Sequence, residues 1–290
     1  MTVDSITTPT AVYNTLQAIG RKPSQSLGQH FLLDKPLLDS FVASLELSPD
    51  DWVVEIGPGL GHLTRSLLET GARVLAIEKD SALAETLAER LPRTEQLTVL
   101  CGDILGTGLK DLEAAGIRGE FVLTGNLPYY CSSEIIAKCY ENWYGKWKRV
   151  GFLLQEEVVD RLVAGPGSKS YGRLSVLVQA FSTVRKVRRV RAHLFVPEPD
   201  VNSAWMVATP HPEPPNVTPS QMASMTRVCF AQRRKTLRNN LSREMGVKAV
   251  DGLLGKTGID GGRRAEALDV AEFVELASYL RETNPGVSND

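Results

Sequence analysis

The chain alternates short apolar segments with segments of helical periodicity, and this alternation limits its fold more than any other feature. Apolar runs of five or six residues are typical of strands that are buried on both faces. Strands and helices in this order predict a mostly parallel sheet that is covered by helices on both sides. The sequence predicts strands at residues 52–56, 73–77, 97–101, 121–125, 150–154 and 201–208, and one long strand or hairpin arm at 174–190.

Five prolines between residues 210 and 219 interrupt the alternation and predict a linker over 210–218. Thr218 and Pro219 then begin a new helix, and everything to residue 283 follows the pattern of short helices. We therefore predict an α/β domain over residues 23–209 and a small all-helical C-terminal domain over 219–283. Residues 1–22 are predicted to be a loosely attached N-terminal leader with a short helix at 10–19, and residues 284–290 a frayed tail.

Composition excludes several classes of protein. The chain has 290 residues, and no apolar run approaches the ~20 residues of a membrane span. The first ten residues are polar and contain no apolar signal core. The four cysteines have neither the spacing nor the histidine partners of a metal site, so no metal is expected, and they are predicted to be buried free thiols in a reducing cytoplasm.

Positive charge is concentrated in two stretches, although the net charge is only −1. Residues 141–191 contain eleven Lys/Arg and four Asp/Glu, and a second basic cluster occupies 233–238. Such segregation is typical of a surface that faces a polyanion, although a single basic run is often only a solvated face. The candidate RNA-binding residues are Arg185, Lys186, Arg188, Arg189, Arg191, Arg233, Arg234 and Lys235.

A tetrad at the end of the predicted strand 121–125 carries the strongest chemical signal. Asn126 supplies an amide oxygen, Pro128 stiffens the turn and directs the Leu127 carbonyl, and Tyr129 supplies a flat aromatic face. Ligands of doubly wound α/β folds bind beyond the carboxyl ends of the strands. Two acceptors beside an aromatic ring suit a planar group with an exocyclic amine, such as a nucleobase.

A glycine-rich turn follows the first predicted strand, with glycines at 57, 59 and 61. A dinucleotide site requires a third glycine at position 62, where this chain has His62, so the spacing argues against NAD. Glu78 ends the second strand, where a carboxylate can accept from both ribose hydroxyls. Asp103 ends the third, where it can accept from an adenine amine while Ile104 packs on the ring. Either acid alone is more typical of a helix cap or a surface loop. The glycine-rich turn, Glu78 and Asp103 together favour S-adenosylmethionine as the ligand.

Taken together, these motifs resemble the ribosomal RNA adenine N6-dimethyltransferases over about residues 20–280. The resemblance rests on Glu55–Gly61, Glu78, Asp103, Ile104 and the tetrad Asn126–Tyr129, and on four further stretches, Ser26–Leu32, Lys169–Val176, Phe195–Ser203 and Gln232–Leu241. It implies a Rossmann-like class I S-adenosylmethionine-dependent methyltransferase domain, followed by the small helical domain.

The resemblance also implies how the cofactor is held. His30 and Leu32 would line its methionine end, and Gly57 would allow close backbone approach, with Gly59 and Gly61 completing the turn. Many bacterial relatives have Asn at the position of His30. Both Asn and His supply a polar donor at this position. The cofactor site is therefore still expected, and only the individual contact made by His30 differs.

For the acceptor base, the resemblance implies that Asn126 lies between cofactor and adenine, and that Tyr129 and Phe195 sandwich the flipped ring. Acceptance of both N6 hydrogens by Asn126 Oδ1 and the Leu127 carbonyl would turn the nitrogen lone pair toward the methyl group. No strong general base is required, because the product ammonium is acidic enough to lose its proton to water.

The expected function is therefore N6,N6-dimethylation of two adjacent adenosines in small-subunit (16S) ribosomal RNA during ribosome biogenesis. The expected partner is the pre-30S particle, and the protein is expected to be cytoplasmic and monomeric. One alternative is a large-subunit rRNA methylase of the macrolide-resistance type, and another is a non-catalytic RNA-binding assembly factor. The intact tetrad, Glu78 and Asp103 argue against loss of catalysis.

Overall fold

A computed structural model of the protein describes residues 6–23, 28–91 and 95–283. The predicted tail, the first five residues and the Ser26-Leu27 part of one motif lie outside these ranges. The strands are β1 Phe31–Leu32, β2 Trp52–Ile56, β3 Arg73–Glu78, β4 Leu97–Cys101, β5 Phe121–Asn126, β6 Trp147–Gln155, β7 Ser182–Val190, β8 Phe195–Val196 and β9 Ser203–Pro210. The α-helices are α1 Pro9–Ala18, α2 Lys35–Ala43, α3 His62–Leu68, α4 Ser81–Arg90, α5 Leu109–Ala114, α6 Ser132–Trp143, α7 Glu156–Leu162, α8 Arg173–Phe181, α9 Pro219–Cys229, α10 Leu237–Met245, α11 Val247–Thr257 and α12 Val270–Thr283.

The main sheet confirms the predicted α/β architecture. Its seven strands follow the order β4-β3-β2-β5-β6-β9-β7, and the first five are parallel, whereas β9 runs antiparallel to β6. The central strands are buried along nearly their whole length, as their continuous apolar runs require. Ile56 pairs with Ile77, and Glu78 pairs with Cys101. The carboxyl ends of β2, β3 and β4 therefore lie side by side, where the predicted ligand contacts meet.

The structure corrects the prediction of a single strand over residues 174–190. Residues 173–181 form the helix α8, and only 182–190 form the strand β7. Ser175 to Val178 are all buried, so the helix has no exposed stripe from which its period could be read. Its start is marked by the Gly172 N–H, which donates to Ser175 Oγ at 3.1 Å.

The predicted leader contains the expected helix, but its loose attachment is wrong. Thr8 Oγ1 accepts from the Ala11 N–H and caps α1. Val12 and Leu16 on its inner face are buried in a cluster that includes Leu60, Leu83 and Phe31. Apolar side chains of this size resist exposure to water, so this segment is part of the fold.

The chain divides into two compact units. The first comprises the described residues up to Lys138 together with 142–159 and 185–209, and the second comprises 139–141, 160–184 and the described residues from Pro210 onward. Within the second unit, α8 packs against α9 and α12. Residues 160–184 thus group with the C-terminal helices, although the sequence analysis assigned them to the α/β domain. The domain boundaries remain a prediction.

Two further observations concern the described residues alone. None of their helices is long and apolar enough to cross a membrane, and no cluster of three or more His, Cys, Asp or Glu side chains among them could hold a metal ion. The cysteines are free, but Cys101 at the end of β4 is exposed rather than buried as expected.

Candidate active site at the carboxyl edge of the sheet

One cleft opens at the carboxyl ends of β2, β3, β4 and β5, with a volume of about 1060 Å³ including its open mouth. It brings together most of the predicted site, namely His30, Leu32, Gly57, Gly59, Glu78, Asp103, Ile104, Asn126 and Pro128. Four residues predicted to contact the cofactor or the base do not line it, and these are Gly61, Leu127, Tyr129 and Phe195. A cleft of this size, with a few polar groups on apolar walls, is typical of a small-molecule site.

The glycine-rich turn between β2 and α3 forms one wall of this cleft. Gly57, Gly59 and Gly61 have φ values of 67°, 56° and 86°, which side-chain-bearing residues rarely adopt. A Cβ at Gly59 would lie 2.9 Å from Cε1 of Phe31, so the turn also lacks space for a side chain. Because these glycines carry no side chains, a ligand can approach the backbone of the turn closely.

Glu78 joins the end of β3 to this turn. Its Oε2 accepts from the Gly59 N–H at 3.0 Å, and its Oε1 accepts from the Asp80 N–H at 2.9 Å. The side chain is 7% exposed, and burial raises its pKa despite these two backbone hydrogen bonds. Each carboxylate oxygen has a further lone pair, so this group can also accept from a ligand's hydroxyls.

Glu55 is a candidate site residue that the sequence analysis did not assign by itself. It lies within β2, is 1% exposed and lines the cleft. Burial raises its pKa to about 8, and the nearby Glu78 adds to the effect, while the Thr64 hydroxyl acts in the opposite direction. No described residue completes a hydrogen bond of good geometry to Glu55 Oε2. An unpartnered buried carboxylate in a cleft suits a positively charged ligand. The available signal was an acid inside an otherwise apolar strand.

Asp103 lines the cleft just beyond the end of β4 and is held by two donors. Lys79 Nζ lies 2.8 Å from Oδ2, and the Leu105 N–H donates to Oδ1 at 2.9 Å. The hydrogen bond from Lys79 and that from Leu105 lower the Asp103 pKa. The exposed Tyr130 ring also lines this end, and neither Lys79 nor Tyr130 was assigned from the sequence.

Asn126, the last residue of β5, is oriented by a hydrogen bond to a distant segment. Its Nδ2 donates to the His30 carbonyl at 2.7 Å, and among the described residues Oδ1 is left as the free acceptor of the amide. The preceding Gly125 cannot be replaced easily, because a Cβ there would collide with the Ile56 carbonyl. The close approach of β2 and β5 therefore fixes the backbone position from which the Asn126 side chain extends.

The next residues of the tetrad are fixed by the strands around them. Leu127 is buried and its N–H donates to the Leu153 carbonyl at 3.1 Å, whereas no described residue donates to the Leu127 carbonyl. The Tyr129 hydroxyl lies 2.7 Å from Ser203 Oγ, and burial raises its pKa. The Tyr129 ring stacks on His30 with a centroid distance of 5.3 Å and an interplanar angle of 21°.

Phe195 differs from the other predicted residues because its ring belongs to the core. Strand β8 pairs antiparallel with β1, and Phe195 lies opposite Leu32. Its side chain is 2% exposed and packs in a cluster that includes Trp205. The predicted sandwich of an adenine by Tyr129 and Phe195 therefore remains a prediction and requires the Phe195 ring to become accessible.

The candidate RNA-binding residues between 185 and 191 form the first basic cluster, which lies on and just after β7, at one edge of the sheet. Lys186 Nζ and Arg189 Nε both lie 2.8 Å from carboxylate oxygens of Glu156, so one acid offsets part of their charge. The remaining members are exposed, and these are Arg185, Arg188 and Arg191.

The second basic cluster, in the other unit, contains one residue with a structural role. Arg233 Nε lies 3.0 Å from Glu266 Oε2, and its Nη2 donates to the Lys169 carbonyl at 2.5 Å. Arg234 and Lys235 are exposed. Arg233 therefore connects three segments of its own unit, in addition to any contact with a ligand.

Comparison with known proteins gives consistent results. The sequence profile described as "Ribosomal RNA adenine dimethylase" matches residues 20–282. The chain is 40% identical over 266 residues to the "Ribosomal RNA small subunit methyltransferase A" of Syntrophotalea carbinolica, covering 91% of this chain and 98% of that protein. It is 35% identical over 285 residues to the protein of the same name from Geobacillus kaustophilus, covering 95% and 97%.

Two solved structures are similar over most of the chain. A dimethyladenosine transferase from Plasmodium falciparum superimposes with a TM-score of 0.71 at 24% identity, covering 88% of this chain and 98% of that one. The 23S rRNA methyltransferase ErmE superimposes with a TM-score of 0.62 at 26% identity, covering 86% and 99%. The first likeness supports the fold alone because its sequence identity is low.

Proposed function

The chain belongs to the ribosomal RNA adenine dimethylase family, and on this basis we propose that it dimethylates N6 of two adjacent adenosines in small-subunit ribosomal RNA, with S-adenosylmethionine as the methyl donor. By this proposal, the protein is an RNA-modifying transferase that acts in ribosome biogenesis. The observation that carries the proposal is the orientation of Asn126, whose Nδ2 is committed to the His30 carbonyl and whose Oδ1 is left to accept.

The small-subunit substrate is favoured over the large-subunit alternative by the degree of similarity. Relatives named for the small subunit are 35–40% identical over nearly the whole chain, whereas the 23S rRNA methyltransferase ErmE is 26% identical. A non-catalytic assembly factor is disfavoured, since the acceptor groups and the carboxylates of the cleft are all retained.

The residues of the cleft fit the proposed cofactor. S-adenosylmethionine supplies a methyl group on a positively charged sulfur, next to an amino-acid group and an adenosine. Glu55, buried and without a partner of good geometry for Oε2 among the described residues, provides the negative charge that such a cation needs. Glu78 accepts from the ribose hydroxyls, and Asp103 accepts from the adenine amine. His30, Leu32, Gly57, Gly59, Gly61 and Ile104 complete the proposed cofactor-binding set.

Two oxygen atoms of the tetrad act on the acceptor base. Asn126 Oδ1 and the Leu127 carbonyl each accept one N6 hydrogen, which draws the lone pair out of conjugation with the adenine ring. The fixed position of both oxygens, one at a strand end and one in the rigid turn before Pro128, orients the nitrogen for in-line attack. The N6 proton then passes to water. Tyr129 provides the aromatic face on which the base stacks, and Phe195 would cover the other face.

RNA binding is proposed to use the exposed members of the two basic clusters. Arg185, Arg188 and Arg191 carry charges that no described acid offsets, so they are the best candidates for contacts with phosphates. Lys186 and Arg189 contribute less because Glu156 shares their charge. In the other unit, Arg234 and Lys235 are stronger candidates than Arg233.

The assembly context is also proposed. We infer that the substrate is the pre-30S particle, that the enzyme acts as a monomer, and that it is cytoplasmic. Small-subunit recognition supports the first and the last of these inferences, because ribosomal RNA is modified where the particle is assembled.

The test is methyl transfer from labelled S-adenosylmethionine to small ribosomal subunits that lack the modification, followed by mapping of the labelled bases. The proposal predicts label as N6,N6-dimethyladenosine at two adjacent positions of the small-subunit RNA. Label on large-subunit RNA would favour the alternative substrate. RNA binding with no transfer to either subunit would favour the assembly factor.

A further inference from the structure

The Tyr129 ring is held at its tip by a buried serine. The two hydroxyl oxygens, Tyr129 Oη and Ser203 Oγ, lie 2.7 Å apart, and either group can donate. Ser203 is the first residue of β9, is fully buried and does not line the cleft. Burial raises the pKa of Tyr129, so its phenol is neutral at physiological pH and the hydrogen bond joins two uncharged groups.

This hydrogen bond connects the tetrad to a strand that is distant in sequence. The tetrad follows β5, and the Leu127 N–H attaches it to the Leu153 carbonyl of the neighbouring strand β6 at 3.1 Å. On the other side of β6, Ser203 pairs with Gln155, the last residue of β6. The Tyr129 side chain therefore spans the end of β6 to reach β9. The tetrad is attached at two points, by its backbone to β6 and by its aromatic tip to β9.

The residue before Ser203 holds the segment that carries Phe195. Asn202 Oδ1 accepts from the Ala192 N–H at 3.1 Å, and Ala192 is the first residue of the short 3₁₀ helix that leads into Phe195. The Asn202 carbonyl accepts from the Glu156 N–H at 2.9 Å, directly after β6. Asn202 and Ser203 therefore connect the tetrad to the segment of Phe195.

We propose that Ser203 is a positioning residue for the target adenine, which fixes the orientation of the Tyr129 ring through the hydrogen bond between the two hydroxyls. This inference rests on the proposed function and adds to its acceptor side a residue that acts through Tyr129. A tyrosine ring that is held only at its root can tilt, whereas a second attachment at its tip fixes the plane on which the base stacks. Alignment of the N6 lone pair with the methyl group requires that plane to be fixed, and small misplacements lower the rate strongly.

The two transfers to one nitrogen make the alignment visible in the products. After the first transfer, the monomethylated adenine must be held in the same plane for the second. A tilted Tyr129 ring holds this base less well, so more of it dissociates before the second transfer. Loss of the Ser203 contact is therefore expected to raise the proportion of N6-monomethyladenosine, which a smaller amount of folded enzyme would not do.

Three variants isolate the hydrogen bond. Ser203→Ala removes the serine hydroxyl, Tyr129→Phe removes the phenol hydroxyl but keeps the aromatic face, and the double variant removes both. Because both residues act through one bond, their effects on kcat should not multiply. The double variant should be slower than the slower single variant by no more than about twofold.

The second unit contains a matched control pair. The Tyr140 hydroxyl lies 2.5 Å from Ser182 Oγ, both side chains are buried, and neither lines the cleft. Ser182→Ala therefore removes the same kind of hydrogen bond, between a tyrosine and a buried serine, without touching the tetrad. It should lower the melting temperature and leave both kcat per folded enzyme and the product ratio unchanged.

The assay measures kcat for methyl transfer to unmodified small subunits at saturating S-adenosylmethionine, the monomethyl-to-dimethyl ratio, the cofactor Kd by calorimetry and the melting temperature. We expect Ser203→Ala to lower kcat by about three- to tenfold, as for the loss of one neutral hydrogen bond that matters in the transition state. The monomethyl proportion should rise, and the cofactor Kd should stay within about twofold of that of the unsubstituted enzyme.

The proposal is overturned if Ser203→Ala behaves like the control, with a lower melting temperature but an unchanged kcat and product ratio. It is equally overturned if the losses in kcat of Ser203→Ala and Tyr129→Phe multiply in the double variant, because the two residues would then act independently. If Ser203→Ala does not fold, Tyr129→Phe removes the same bond and must show the lower kcat and the higher monomethyl proportion. Failure of the unsubstituted chain to label any adenosine would instead refute the proposed function, so the two failures are distinguishable.

Discussion

Replacement of Glu55 by Gln offers a direct test of the charge balance in the cleft. Gln has nearly the same shape but cannot ionise. Burial raises the pKa of Glu55 from its usual 4.5 to about 8, so its carboxyl is mostly protonated at neutral pH when no ligand is bound. A cationic ligand beside Glu55 would favour the ionised form and lower this pKa.

The effect on stability follows from the direction of this change. Between pH 4.5 and 8 the folded chain binds more protons at this site than the unfolded chain, so stability falls as the pH rises through this range. Because Glu55 is fully buried, a pKa difference of this size corresponds to a cost on the order of 3–5 kcal/mol above pH 8. The cost is absent below pH 4.5. Glu78, whose pKa is also raised by burial, adds a slope of the same sign that Glu55→Gln leaves unchanged.

Two measurements check this reasoning. The melting temperatures of Glu55→Gln and the unsubstituted protein should diverge as the pH rises from 5 to 9, with the variant relatively more stable at high pH. Calorimetric titration of S-adenosylmethionine at pH 7, in buffers of different ionisation enthalpy, should show proton release by the unsubstituted protein and less release by the variant. Parallel pH profiles together with equal proton release would refute the assigned environment of Glu55.

Three further predictions concern the cofactor, the exposed arginines on and after β7, and Arg233. Glu78→Ala should weaken cofactor binding by about 1–3 kcal/mol, because the ribose hydroxyls lose their acceptor. If calorimetry shows unchanged affinity, Glu78 has only a structural role, which is to connect β3 to the glycine-rich turn after β2. Replacement of Arg185, Arg188 and Arg191 by Gln should weaken RNA binding and leave the cofactor Kd unchanged. The slope of log K for RNA against log salt concentration should become shallower by about 0.7–0.9 per lost phosphate contact. Arg233→Gln should instead lower the melting temperature, because it removes the contacts to Glu266 and Lys169, and a full loss of salt dependence in that variant would contradict its structural role.

The sequence was most informative where chemistry and strand order coincide. Glu78, Asp103 and Asn126 each stand at or just after the end of an apolar run, and parallel strands bring such ends to one edge. The convergence of these residues on one cleft could therefore be predicted without coordinates. Hydrogen-bond partners could not be predicted, since the bond from Asn126 to the His30 carbonyl joins residues 96 positions apart.

Two wrong predictions, the strand over 174–181 and the loose attachment of the leader, share a physical cause, which is burial by distant parts of the chain. The helix α8 is buried on most sides, so its periodicity is hidden. The segment around α1 is buried through Val12 and Leu16, whose partners in the cluster, such as Leu60 and Leu83, are distant in sequence. The pairing of β8 with β1 also buries the Phe195 ring, whose contact with the base stays a prediction. Tertiary packing decides each of these cases.

The central claim is that Asn126 Oδ1 holds the N6 amine of an adenosine in small-subunit ribosomal RNA for methyl transfer. The most direct test is the single-turnover rate of Asn126→Ala with saturating S-adenosylmethionine on unmodified small subunits, together with the cofactor Kd. The account predicts a rate about 10²-fold lower, typical of the loss of one transition-state hydrogen bond, with a nearly unchanged Kd. A rate equal to that of the unsubstituted enzyme would contradict it.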